Sequence, residues 1–126
     1  MPALPSRALA AAVATGLAAC AGCGEPAPVA VDATPLRLTL SEYRVEPQAV
    51  RVPAGRTEVV VRNGGTTVHR LEIRSGDRTR TLASSPPLRP GETARLVVEL
   101  PAGTYVDTCA VERHDTLGEH GTIVAR

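Results

Sequence analysis

The sequence predicts an all-β fold, a Greek-key β-sandwich of seven to eight short strands, and three observations carry that expectation. The 126 residues include 11 Pro and 11 Gly, a load that long helices do not tolerate. Apolar and polar residues alternate over short runs, the period-2 sign of half-buried strands. Turn-forming clusters separate these runs at close spacing, as sandwich topologies require. With no Phe, no Trp and only Tyr43 and Tyr105 as aromatics, the core has to be built from Val, Leu, Ile and Ala.

The elements follow in order. Leu36, Leu38 and Leu40 alternate with Arg37, Thr39 and Ser41. Gln48 to Val52 follows Pro47 and stops at Pro53-Ala54-Gly55. Thr57 to Arg62, with Val59-Val60-Val61 at its heart, ends at Asn63-Gly64-Gly65. Val68 to Ile73 and Arg78 to Ala83 come next, then a Pro90-Gly91 turn and a strand from Ala94 to Leu100. Pro101-Ala102-Gly103 turns into Thr104 to Cys109, and Gly121 to Ala125 closes the fold. No helix is expected in this part.

Residues 1–19 read as an export leader. Arg7 supplies a basic start, and Ala8 to Ala19 is an apolar run too short to span a bilayer. It ends in Leu17-Ala18-Ala19-Cys20, which resembles a bacterial lipobox, so Cys20 is the expected lipidated residue. Several acyl chains on one residue anchor stably where a single chain does not. A conventional cleavable signal with Cys20 incidental is the alternative, and Cys23 fits worse for want of a large aliphatic residue before it. Residues 20–35 then form the lipidated cysteine and a tether, in which Gly24 to Pro35, with prolines at 26, 28 and 35, reaches roughly 30–40 Å if extended. The folded domain is expected over 36–126.

The formal charge is +1, from 14 basic and 13 acidic residues, and every basic residue is an arginine. Without the leader, 13 of each sign remain. No basic excess points to nucleic acid.

Once the two leader-proximal cysteines are set aside, a single thiol remains, Cys109, with His114 and His120 close behind it and His69 upstream. A lone cysteine in an exported chain invites explanation, and a thiolate with imidazoles is a ligand set that copper or zinc accepts. Taken singly, Cys109 would more often be a buried core thiol and His69 a surface histidine. Their order and spacing together favour metal binding.

Asn63-Gly64-Gly65-Thr66-Thr67-Val68-His69 resembles the cupredoxin segment in which Asn and Gly precede the first copper histidine. Leu88 to Glu92 and Leu100 to Tyr105 are similar to the family's turns leading into the copper cysteine. Cys109-Ala110-Val111-Glu112-Arg113-His114 resembles its C-x4-H loop, and Gly118 to Val124 its closing G-M-x-G-x-I-x-V with one change. The resemblance spans essentially all of 36–126. It implies a plastocyanin- or azurin-like blue-copper domain, with one copper per chain on His69, Cys109 and His114 and with Glu119 standing where the family usually has its axial methionine. Outer-sphere electron transfer through the more exposed histidine, His114, is implied too, with Leu117 and nearby glycines as a docking patch.

Two departures stand out. Glu119 replaces a soft donor by a hard one, and its bland alternative is a solvated loop residue. Asp107, two residues before Cys109, replaces what is commonly an aromatic; a carboxylate facing inward there needs a partner such as an arginine. His120 is expected at the surface.

Function therefore divides three ways. The leading expectation is one-electron transfer at the extracytoplasmic face of a membrane, with a redox partner the sequence does not identify. A copper buffer or delivery module without electron transfer is the second, favoured by Glu119 because a carboxylate disfavours Cu(I). Zinc in a tetrahedral set of two His, one Cys and one Glu is the third. Lacking a nucleophile motif, a phosphate loop or a second metal cluster, the chain is not expected to be an enzyme.

Overall fold

The computed structural model describes residues 28–31 and 35–126. The leader over 1–19, Cys20 and the tether as far as 27 lie outside the described residues, as do 32–34.

Ten strands are present among the described residues: β1 (Val29–Ala30), β2 (Leu36–Ser41), β3 (Arg44–Glu46), β4 (Ala49–Val52), β5 (Gly55–Asn63), β6 (Leu71–Ser75), β7 (Thr81–Ser84), β8 (Thr93–Leu100), β9 (Gly103–Cys109) and β10 (His120–Ala125). They form a six-stranded sheet in the order β1-β4-β10-β9-β6-β7 and a four-stranded sheet in the order β3-β2-β5-β8. The all-β sandwich is as expected. The count exceeds seven to eight because β1 and β3 are two and three residues long, too short to display alternation. Among the described residues, Val29 already pairs in parallel with Val50, upstream of residue 36, where the sequence reading starts the folded domain.

The aliphatic core follows from the period-2 pattern. Leu36, Leu38 and Leu40 on β2 are buried, as are Val59 and Val61 on β5, Leu71 and Ile73 on β6, Leu100 on β8 and Ile123 on β10. Fully burying such a side chain is worth about 1.5–3 kcal/mol. Tyr105 packs against this cluster, and its hydroxyl donates to the Pro101 carbonyl at 2.6 Å, pinning the turn before β9.

The strand expected from Val68 starts later, as β6 at Leu71. Val68 and His69 leave the sheet direction, and His69 instead pairs with Leu88 as an isolated bridge, its N–H donating to Leu88 O at 3.0 Å and its carbonyl accepting from Leu88 N at 2.7 Å. Topology then brings the functional ends together. β9 lies between β10 and β6, with Cys109 opposite Leu71, so the end of β9, the start of β6 and the start of β10 share one end of the sandwich.

Candidate metal centre

The segment before His69 is held by Asn63, the last residue of β5 and fully buried. Its Nδ2 donates to Thr67 O at 2.7 Å and Leu88 O at 2.8 Å, and its Oδ1 accepts from Gly65 N at 2.9 Å. One side chain thus fixes both the loop leading to His69 and the Leu88 segment bridged to it. A buried amide of this kind is costly to remove, because its partners would be left unsatisfied.

Cys109 ends β9, buried and free of any disulfide. Ala110 N donates to Arg70 O at 2.8 Å, and Arg70 N–H points at the Cys109 sulfur at 3.5 Å, so the cysteine is tied to the residue following His69. The chain then makes a three-residue 3₁₀ turn, Asp115–Leu117, with Gly118 in the left-handed region at φ 109°. Glu119 returns to the start of the loop: its N–H donates to His114 O at 3.1 Å, and its carbonyl accepts from Cys109 N at 3.1 Å. The C-x4-H loop is therefore closed by its own backbone.

Ligand atoms of His69, Cys109, His114 and Glu119 all lie within 4.8 Å of one another. His69 Nδ1 is 2.6 Å from Glu119 Oε1, and His114 Nδ1 is 3.2 Å from Glu119 Oε2. The Cys109 sulfur is 3.5 Å from His114 Nδ1 and 3.8 Å from His69 Nδ1. His69 and Glu119 are fully buried; the His114 side chain is 13% exposed and meets Tyr43 edge-on at 5.2 Å between ring centroids. Glu119 is thus no solvated loop residue. His120 lies outside the group, half-buried on β10 opposite Thr108.

The electrostatics are those of a site short of positive charge. Burial pushes Glu119 up to about 7 against the pull of His69. Burial also raises the Cys109 thiol, and the Glu119 carboxylate adds to the effect. Burial, followed by the charge of His69, lowers His114. Although ring nitrogens approach it closely, neither oxygen of Glu119 has a hydrogen-bond partner among the described residues. A carboxylate left this way in the interior is expensive unless protonated or bound to a cation. Two imidazoles, one thiol and one carboxyl converging on one point, the carboxyl without a hydrogen-bond partner, fit a divalent transition metal, copper or zinc by donor chemistry.

Asp107 corrects an expectation. It is fully buried, and neither carboxyl oxygen has a hydrogen-bond partner among the described residues, arginine or other. Its Oδ1 occupies the space that a Cβ on Gly121, its cross-strand neighbour, would need. Burial raises it to about 7, so below that pH the carboxyl escapes the cost of a buried charge by taking up a proton.

Sequence reasoning missed Glu42, in the turn between β2 and β3. Its Oε1 lies 3.1 Å from His69 Nε2, and no spacing rule links two residues 27 positions apart. The one signal available was the Gly64-Gly65 pair: a Cβ on Gly65 would stand 2.5 Å from that same oxygen.

A two-sheet sandwich with a His-Cys-His-Glu donor set at one end defines a class of mononuclear metal-site proteins. The chain belongs to the cupredoxin-like domain family, whose model matches residues 8–125. It is similar to a reduced auracyanin from the photosynthetic bacterium Roseiflexus castenholzii, with a TM-score of 0.69 and 22% identity over 76% of this chain and 99% of that one. A purple cupredoxin from Nitrosopumilus maritimus gives a TM-score of 0.58 and 21% identity, covering 72% of this chain and 99% of that one. Among curated proteins, the iron uptake system component EfeO of Yersinia pseudotuberculosis is 29% identical over 82 residues, which are 65% of this chain and 21% of EfeO. The chain therefore spans about a fifth of the length of the curated relatives it matches.

Proposed function

We propose that this protein is a mononuclear copper protein of the cell envelope that carries single electrons, with His69, Cys109, His114 and Glu119 holding one copper per chain. The observation that carries this reading is the convergence of one sulfur, two imidazole nitrogens and one carboxylate within 4.8 Å. Copper, when bound, supplies a one-electron couple.

The chain's own residues do the rest. Asn63 and the closed loop from Cys109 to Glu119 hold the donors in place before any metal arrives, so a change of oxidation state meets a site already arranged. His69 and Glu119 are sealed from water. His114 is the partly exposed imidazole, so its edge is the route by which an electron reaches a partner. Tyr43 and Leu117, both exposed, supply an apolar rim beside it. Cys20 is the proposed lipid anchor; Cys20→Ala should release the protein from the membrane fraction or block its processing. Among the described residues, no helix is long and apolar enough to cross a membrane.

Glu119 favours a second reading, copper buffering or delivery, because a hard carboxylate holds Cu(II) better than Cu(I). The EfeO likeness supports transition-metal handling as the setting of either reading. Copper titration of the purified chain, followed by electron self-exchange kinetics, separates them. A carrier binds one copper and exchanges electrons rapidly. A buffer binds one copper and exchanges slowly. A chain that prefers zinc and binds copper only weakly contradicts both.

A further inference from the structure

His69 is fully buried, and each of its two ring nitrogens faces a different carboxylate. Nδ1 points at Glu119 among the candidate ligands, while Nε2 points away from them at Glu42. A neutral imidazole carries a single N–H, so the better acceptor decides which nitrogen remains free for a metal. The two carboxylates are not equal. Neither oxygen of Glu119 has a hydrogen-bond partner among the described residues, whereas Glu42 Oε1 is fixed by two backbone N–H groups and a hydroxyl. Glu42 is therefore the acceptor that the loop holds in place for Nε2.

The loop is built around that carboxylate. Glu42 Oε1 accepts from Thr66 N at 2.7 Å, Thr67 N at 2.8 Å and Thr67 Oγ1 at 2.9 Å, besides facing His69 Nε2 at 3.1 Å. A Cβ at residue 65 would collide with both carboxylate oxygens, at 2.5 and 2.7 Å, so the glycine makes room for them.

We propose that Glu42 is a positioning residue for the metal site: it takes the Nε2–H of His69, leaves Nδ1 as the free donor, and places a fixed negative charge one imidazole away from the metal. The proposal rests on the metal-binding reading above and adds the device that selects the metal's charge. With the Cys109 thiolate and Glu119, Glu42 makes three anionic groups around one cation, and this favours a divalent over a monovalent ion. Partners of this kind fix the ring and raise its basicity as a ligand, and their loss typically costs about 10- to 100-fold in metal affinity.

The test has two arms, both on the full chain. In the metal-free wild type, ¹⁵N NMR of the imidazole nitrogens should find His69 with its proton on Nε2. A proton on Nδ1, or rapid averaging between the two, overturns the proposal without any variant having to fold. In the second arm, Glu42→Gln keeps an oxygen for the Thr66 and Thr67 donors but removes the charge. Its affinity for Cu(II) should fall about 10- to 100-fold, with a clearly smaller loss for Cu(I). Equal losses for the two ions, or none, would make Glu42 a loop staple only. If the wild type binds no copper, the functional reading fails, and the metal-free NMR arm still decides what Glu42 does to His69.

Discussion

The two segments that bring the candidate ligands to the proposed metal centre are held in opposite ways. The upstream segment, Asn63 to His69, is clamped from outside: Asn63 ties it to the Leu88 segment, and Glu42 reaches in from another turn. The downstream segment, Cys109 to Glu119, closes on itself through backbone bonds between Glu119 and both His114 and Cys109. The first delivers one fully buried histidine, and the second delivers the other three donors, with His114 partly exposed. Rigidity on one side and a compact, self-contained loop on the other give a site with one sealed half and one half able to meet a partner. The two halves should accordingly fail differently when cut.

Breaking the upstream clamp should have the largest effect. Asn63→Ala strands the carbonyl of Thr67 and the N–H of Gly65 and leaves the Leu88 carbonyl only its bond from His69 N, and should cost about 2–4 kcal/mol in denaturant unfolding of the metal-free chain. A loss below about 0.5 kcal/mol would mean that the clamp is ornamental.

The strand feeding the downstream loop carries the next effect. Asp107 ionises near 7 when folded and in the usual carboxylate range when unfolded. Between those values the folded state holds the extra proton, so this group's contribution favours folding at low pH and is lost as pH rises from about 4 to about 7. Asp107→Asn should flatten that slope and stabilise the chain at pH 8 by an amount on the order of a few kcal/mol. Unchanged pH dependence would place the titration elsewhere.

Within the downstream loop, Glu119→Met exchanges a hard, charged donor for a soft, neutral one. It should shift the preference from Cu(II) toward Cu(I) about tenfold or more, raise the reduction potential and move the spectrum toward the blue type. The same two groups make loading pH-dependent. Cys109 and Glu119 must lose their protons to bind, and both are raised, so metal affinity should climb as pH rises through about 7 and weaken on acidification. Proton release measured by calorimetry in two buffers checks this. The smallest effect belongs to Gly118→Ala, which forces a Cβ into a left-handed turn and should cost about 1–2 kcal/mol, felt in the downstream loop alone.

The downstream segment was the legible one. Cysteine, histidine and glutamate fall within eleven residues, and their spacing carries the geometry because the loop closes locally. Upstream, His69 could be picked out, but what holds it could not. Glu42 acts across 27 positions through a turn, and such contacts leave no period in a sequence. The aliphatic strands were readable wherever alternation ran for four or more residues, as in β2. It failed for Val29–Ala30 and Arg44–Glu46, which pair only because longer neighbours offer them an edge. Asp107 was recognised as costly, but in place of the arginine expected beside it stand a glycine opposite and a burial that raises its pKa to about 7. That solution depends on a cross-strand register fixed only in the folded sheet.

The most direct test is the optical and EPR spectrum of the purified chain after one equivalent of Cu(II), beside that of Cys109→Ser. Thiolate ligation predicts intense visible charge-transfer absorption in the wild type and its loss in the serine variant, which retains the fold and the two histidines. Absorption of equal intensity in both proteins, or none in the wild type with copper bound, would contradict a metal centre built on Cys109.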